Sequence, residues 1–196
     1  MGEKTNPELK ILSGDFWQKL PNNEHIKRAL EIAIAGKHKI LITISPDIQR
    51  IFIEFGNGLP IKVAIAFKCP CGYFMHQDHQ CTCTEQKIIK HIKRLKLWTY
   101  DIAIEATIPR TRDYEYIGEP FKNAQKRIKG MSSYTNLILD DPGMSLLELA
   151  KRKLAIDVEI AARVGRTIAN LENSKDIMAH HISEAIQYQT LYSEFK

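Results

Sequence analysis

Residues 22–47 read NNEHIKRALEIAIAGKHKILITISPD, and the order of elements in the rest of the chain follows from them. The asparagines precede an amphipathic pattern that ends at Gly36, which predicts a capped helix. KILITI, which comes next, is a continuous apolar run rich in β-branched residues and predicts a strand buried on both faces. Ser45, Pro46 and Asp47 then supply a cap, a proline in the first turn and an early acid, which favours another helix.

The segment after Asp47 is compatible with two structures. A helix would end at Gly56, whereas RIFIEF, the GNG turn and LPIKVAIAF would form a β-hairpin. We favour the helix. Two later segments alternate in the manner of edge strands: residues 61–67, with Lys62 and Lys68 as protective charges on the outer face, and DIAIEATI, which Pro109 stops.

The remaining pattern is helical. Helices are predicted from EQKIIKHIKRLKLW, at 121–130, at about 154–171 and at about 175–192, with a capping box at Ser145-Leu146-Leu147-Glu148. Strands alternate with helices first and helices alone follow, which predicts the α/β class. We expect an α/β domain over residues 1–110 and a helical lid over residues 111–196.

All four cysteines lie in CPCGYFMHQDHQCTC, residues 69–83. They form two Cys-x-Cys pairs, and the turn-forming Pro70 and Gly72 lie beside the first pair. Four soft thiolates this close together are typical of a closed, tetrahedral structural zinc site, which has no open position for catalysis. The predicted ligands are Cys69, Cys71, Cys81 and Cys83.

Two alternatives to this ligand set remain open. His76 or His79 could replace one thiolate, and the cysteines could instead be free thiols or disulfides. The polar N-terminus lacks a secretory signal and the longest apolar run is too short to span a membrane. We therefore expect a reducing, cytoplasmic compartment, in which clustered cysteines bind metal more often than they pair.

The net charge of +5 permits contact with nucleic acid or an acidic partner without requiring either. Lys87, Lys90, His91 and Arg94 share one face of the predicted helix after the cysteines. That face is either a contact for phosphate groups or a solvated surface.

Near the C-terminus, Arg163 and Arg166 are predicted to cap helices or form ion pairs. We interpret His180 and His181 as ordinary surface residues.

Three blocks of the chain resemble the magnesium-chelatase-like branch of the AAA+ ATPases, especially its competence-associated type. They are LPNNEHIKRALEIAIAGKHKILI, the cysteine segment continued by HQCTCTEQKIIKHIKRL and YDIAIEATIPR, and RVGRTIANLENSKDIMAHHISEAIQYQ. The resemblance implies a nucleotide-binding α/β domain followed by a helical lid.

The nucleotide-handling parts of that family are replaced here. Where the family carries a glycine-rich phosphate-binding loop after its first strand, this chain has Ser45, Pro46, Asp47, Arg50 and Ile51. The glycines are lost, an arginine replaces the lysine, and an isoleucine replaces the hydroxyl that would bind Mg²⁺. The carboxylate of Asp47 is electrostatically adverse to phosphate.

The resemblance also implies a deletion between Gly58 and Ile61 that removes the family's second and third strands with the magnesium-binding acid. Phe67 and Asp101 stand where the family has a sensor asparagine and an arginine that acts on a neighbouring subunit. The retained strands are adjacent, in the order 5-1-4. The resemblance thus implies a truncated AAA+-like three-layer domain with a small, mostly parallel three-stranded sheet and a helical lid.

We therefore expect no enzyme activity, but a non-catalytic AAA+ remnant that acts as a zinc-stabilised protein-interaction module and binds neither ATP nor Mg²⁺. Its expected partner is a protein, such as a full-length relative or a second copy of the chain, and not a membrane. Two alternatives stay open. One is an accessory protein that binds nucleic acid through Lys87, Lys90 and Arg94, and the other is a residual ATP-binding regulator or ATPase that uses Arg50.

Overall fold

The computed structural model describes Trp17, residues 23–49, Phe52, and residues 61–107 and 118–191. Within these ranges the chain forms three strands and six α-helices. The strands are β1 (Ile40–Ile44), β2 (Val63–Phe67) and β3 (Ile102–Glu105). The helices are α1 (Glu24–Gly36), α2 (Glu85–Leu95), α3 (Phe121–Gly130), α4 (Asp141–Leu154), α5 (Val158–Leu171) and α6 (Ala179–Gln187). Each of these helices is too short or too polar to cross a bilayer.

The sheet has β1 at its centre, in the order β2-β1-β3, and both pairings are parallel. Ile40 is in register with Val63 on one side and with Ile102 on the other. All five residues of β1 are buried, as expected for a strand that is apolar on both faces. The α/β class, the parallel sheet and the strand order predicted from the sequence are confirmed.

Each face of the sheet is covered by different elements. On one face, Ile42 packs in a core with Leu30 of α1 and with Ile168 of α5. On the other face, Leu41 packs with Ile92 of α2 and with residues of the cysteine segment. The C-terminal helix α5 therefore shares a core with the α/β layer. The boundary predicted between residues 110 and 111 lies outside the described residues.

The turn after β1 is helical. Pro46–Ile48 form a 3₁₀ turn, and Gln49 and Phe52 have helical conformation. A helical Phe52 is incompatible with the β-hairpin that the sequence left open, so the helix is the correct interpretation. Its predicted end at Gly56 lies outside the described residues.

Lys68 does not protect the edge of the sheet, contrary to the prediction. Its side chain is buried and forms an ion pair with Glu105, the last residue of β3. The reason is that β2 ends just before Lys68, and the chain turns there into the cysteine segment. Lys62 is exposed, as predicted.

The last three helices begin at positions that differ from the prediction. The capping box at Ser145 lies inside α4, because Asp140 caps this helix through its carboxylate and the amide of Gly143, at 2.8 Å. Likewise Asp157 caps α5, so that helix starts at 158 rather than 154. The final helix starts at 179 rather than 175. Together the three helices form a core of their own around Leu147, Ala161, Ile177 and Ile182.

Candidate metal centre and its surroundings

The four cysteine sulfurs lie close together without disulfide bonds. The Sγ of Cys69 is 3.4 Å from that of Cys71 and 3.8 Å from that of Cys81, and the latter two sulfurs are 3.6 Å apart. The sulfur of Cys83 completes the group, in which all four atoms lie within 4.8 Å of one another. Tetrahedral ligands at about 2.3 Å from zinc are about 3.8 Å apart, so the cluster could hold a metal ion such as zinc.

The loop backbone supplies hydrogen bonds to these sulfurs. Burial opposes ionisation of Cys71, but the backbone of Tyr73 and Thr82 and the neighbouring thiols lower the pKa of Cys71 to about 6. For Cys81, the backbone of Cys83 favours the thiolate, yet burial and the adjacent thiols raise its pKa to about 12. One thiolate therefore forms easily and opposes the ionisation of the next. A divalent cation would remove this conflict by binding all the sulfurs as thiolates.

The histidines of the loop do not join the cluster. Nδ1 of His76 accepts the backbone N–H groups of Asp78 and His79, each at 3.0 Å. Its Nε2 is therefore the protonated nitrogen, and it donates to the carboxylate of Asp47 at 3.0 Å. The side chain of His79 is about half exposed and its Nε2 lies 3.7 Å from the same carboxylate. The alternative in which one of these histidines replaces a thiolate is not supported.

The cysteine loop also covers the start of the helix that follows β1. A Cβ atom added to Gly72 would lie 2.6 Å from Cδ of Pro46, so the two backbones are in close contact there. Gly72 has φ +84°, a left-handed conformation that glycine adopts without strain. Together with the pairing of His76 to Asp47, this contact brings the metal centre against the residues that replace the phosphate-binding loop.

Among those replacement residues, the structure describes Ser45, Pro46 and Asp47. Ser45 is buried and its hydroxyl has no hydrogen-bond partner among the described residues. Arg50 and Ile51 lie outside the described residues. Sequence inspection missed the pairing of Asp47 with two histidines, because 29 residues separate Asp47 from His76. The only signal was a carboxylate beside a parallel strand whose neighbour leads into a histidine-containing loop.

The basic residues of α2 lie on its outer side. Lys87, Lys90 and Arg94 are exposed, as predicted, while Ile88 and Ile92 face the core. His91 differs from the other members of the predicted stripe. It is half-buried, and its Nε2 lies 3.0 Å from the carbonyl oxygen of Phe67. Its role is therefore to tie α2 to the end of β2.

The two lid arginines behave as predicted. Arg163 pairs with Asp101 at 3.1 Å, linking α5 to the start of β3. Arg166 donates to the carbonyl oxygens of Lys175 and Ser174, at 2.7 and 2.5 Å, and so caps the turn after α5.

A second group of potential ligands, Glu172, His180 and His181, lies in the lid. Nε2 of each histidine is 3.1 Å from the same carboxylate oxygen of Glu172. The prediction that both histidines are surface residues is wrong for His181, which is 1% exposed. It is buried because the turn after α5 folds α6 back against that helix. A glutamate eight residues before a histidine pair was the available signal.

The hydrogen bonds of His181 argue against metal binding at this second group. Its Nδ1 accepts the backbone N–H of Met178 at 2.8 Å, so Nε2 carries the proton and donates to Glu172. Burial and the neighbouring His180 lower the pKa of His181. Burial alone would raise the pKa of Glu172, but its hydrogen bonds with the two histidines lower it.

The fold and the site define a class: a small α/β layer, C-terminal helices that pack on it, and a cysteine cluster able to hold a metal ion. Residues 103–189, from β3 through α6, match the family described as magnesium chelatase, subunit ChlI C-terminal. The first two strands and the cysteine cluster precede the matched segment. None of the curated protein sequences matches the chain.

Proposed function

We propose that this protein is a non-catalytic derivative of a magnesium-chelatase-like AAA+ ATPase, and that it acts as a zinc-stabilised protein-interaction module. The family match over residues 103–189 supports the ancestry. The strand order β2-β1-β3 is the arrangement expected if the second and third strands of the ancestral sheet were deleted. The competence-associated type within this branch is part of the proposal.

The observation that carries the proposal is the environment of Asp47. In a working ATPase of this kind, glycines and a lysine after the first strand bind the phosphates. Here a carboxylate occupies this turn, and His76 and His79 of the cysteine loop approach it. Pro46 lies against Gly72 of the same loop. A phosphate group would face a negative charge and would compete with the loop for the same backbone.

The zinc ion in this proposal has a structural role. Its ligands are Cys69, Cys71, Cys81 and Cys83, which leave no position for water or substrate. By holding the loop, the ion would keep Gly72 and His76 in place over the former phosphate site. The retained scaffold then serves to present surfaces to a partner protein, such as a full-length relative or a second copy.

The deciding experiment is a calorimetric titration of zinc-loaded protein with ATP and Mg²⁺, combined with a thermal-shift measurement. We expect neither heat nor stabilisation, because no described group is arranged to bind phosphate. Micromolar binding that disappears in Arg50→Ala would overturn the proposal in favour of the ATP-binding regulator. Binding that survives this change would overturn it as well and would place the site elsewhere.

A second candidate function is nucleic-acid binding, which the charge of α2 favours. Lys87, Lys90 and Arg94 are exposed, and no ion pair joins them to a carboxylate among the described residues. Binding to DNA should then weaken steeply as salt is raised. The triple variant Lys87→Glu, Lys90→Glu, Arg94→Glu tests it. The matched control changes Lys122, Lys126 and Lys129 of α3 to Glu, since a general charge effect would weaken binding equally in both variants.

A further inference from the structure

The C-terminal end of α2 and the lid enclose an apolar cavity of about 430 Å³. This volume is within the range of specific ligand pockets. The cavity lies between the turn after α2, strand β3, the start of α5 and the end of α6. Its apolar wall includes Ile92, Leu97, Trp98, Tyr100, Ile160 and Leu191.

The polar groups in this wall already have partners within the chain. The backbone N–H of Asp157 donates to Oε1 of Gln189 at 2.8 Å, and Nε2 of Gln189 donates to the carbonyl oxygen of Asp157 at 3.1 Å. The carboxylate of Asp157 caps α5, which offsets its charge. The hydroxyl of Tyr188 donates to Glu184. A group that enters the cavity therefore meets an apolar surface, which suits an aliphatic or aromatic side chain better than a nucleobase with polar edges.

Trp98 lies at the mouth of this cavity and is 70% exposed. Its position is fixed by the turn that follows α2. Lys96 ends the helix in a left-handed conformation, and both the backbone N–H and the hydroxyl of Thr99 donate to its carbonyl oxygen at 2.8 Å. Leu97 anchors the turn in the core. The chain thus holds an indole rigidly in solvent, and exposed tryptophans beside a pocket are typical centres of binding energy in protein interfaces.

The charge around the cavity is positive. Lys93 lines it, and Arg94 and Lys96 are exposed at the same end of α2. As with the earlier cations of this helix, no ion pair neutralises them within the described residues. A partner that covers Trp98 would therefore be attracted by its own negative charge.

We propose that this cavity binds an acidic segment of a partner protein, which inserts one large apolar side chain beside Trp98 and places carboxylates against Lys93, Arg94 and Lys96. The inference rests on the proposed function as an interaction module and gives that module its binding face and the chemistry of its partner.

The test is fluorescence anisotropy of the labelled peptide EEDEFEELDE, titrated with the zinc-loaded full chain. We expect saturable binding that weakens with salt. Both Trp98→Ala and Lys93→Glu should weaken it by roughly tenfold, the effect typical of central interface residues. Replacement of the phenylalanine in the peptide by serine should weaken it equally. Lys129→Glu on α3 is the matched control and should leave the affinity unchanged.

Three results would overturn the inference. They are the absence of peptide binding, binding that is indifferent to Trp98→Ala and Lys93→Glu, and stronger binding of labelled oligothymidylate through the same two residues. Because Trp98 and Lys93 are exposed, their substitution should leave the fold intact, which a thermal melt of each variant checks. ATP titration of the same sample separates the two proposals. Nucleotide binding would refute the proposed function, whereas loss of peptide binding alone would refute only this binding face.

Discussion

Two groups of potential metal ligands lie in this protein, and they differ in what their neighbours do. The four cysteines receive backbone hydrogen bonds that favour thiolates, and their sulfur spacing matches a tetrahedral ion. In the lid, the carboxylate of Glu172 and the two histidines are equally close, but Nδ1 of His181 accepts a backbone N–H and leaves the proton on Nε2. Proximity of ligand atoms is therefore insufficient, and the hydrogen bonds behind those atoms decide between a metal site and a hydrogen-bonded cluster.

The largest expected effect comes from breaking the first group. Cys69 is fully buried, and Cys69→Ser removes one of four thiolates. We expect the zinc content to fall well below one ion per chain and the free energy of unfolding to fall by about 4 kcal/mol or more, as for loss of a structural metal. Zinc analysis and denaturant unfolding measure both. Gln80→Ala, at an exposed position in the same loop, is the control. A metal-free wild-type protein of unchanged stability would refute the zinc site.

A smaller effect is expected where the metal loop contacts Pro46. Gly72→Ala adds a Cβ atom 2.6 Å from this proline and places alanine at a positive φ. We expect a loss of about 2 kcal/mol in the free energy of unfolding, since strain and the clash act together. Gly130→Ala is the control, because a Cβ atom there meets nothing within 4 Å. Equal stability of the two variants would mean that the loop does not rest on the former phosphate site.

The lid cluster can be tested in the same way. His181→Leu leaves the buried N–H of Met178 and one oxygen of Glu172 without their partner. We expect a loss of about 1–2 kcal/mol, the usual cost of an unsatisfied buried group, and an unchanged zinc content. His180→Leu, at the exposed neighbour, should cost less. A fall in zinc content in either variant would show that the second group binds metal after all.

The smallest expected effect is a dependence on pH. Burial lowers the pKa of His181 below its ordinary value of 6.5, so the unfolded chain binds the proton more tightly. Stability from this residue is therefore complete above pH 6.5 and is lost as the pH falls toward the lowered value. His38, whose pKa burial also lowers, acts in the same direction.

The measurement is the unfolding free energy of the wild type minus that of His181→Leu, at pH 7.5 and at pH 5.5. The difference should shrink at the lower pH. Because both proteins keep the cysteine cluster, protonation of the zinc ligands cancels. A difference that grows on acidification would contradict the direction of the pKa shift.

Much of the fold was predictable because its signals are local. The apolar run KILITI could only be a strand buried on both faces, and β1 is buried along its whole length. The pattern ending at Gly36 gave α1 with its observed C-terminal residue, and α3 was placed at its observed bounds. The four cysteines were identified as one cluster by spacing alone.

The errors share a physical cause. Lys68 was expected in solvent, but Glu105 of another strand neutralises it in the interior. His181 was expected on the surface, but the return of α6 onto α5 buries it. The start of α4 was misplaced because Ser145 carries a cap signal as plausible as that of Asp140. Each outcome depends on a partner or a competing cap that no local pattern reveals.

Residue types and their periodicity were thus enough for the class of fold, the order of the strands and the identity of the cysteine cluster, since these depend on burial and on short-range spacing. Tertiary structure decided which charges are buried, which histidine nitrogens carry protons, and that the cysteine loop covers Pro46 and Asp47. It also created the cavity beside Trp98. These features arise from contacts between segments that are distant in the chain, and their free energies depend on geometry that exists only after the elements have packed.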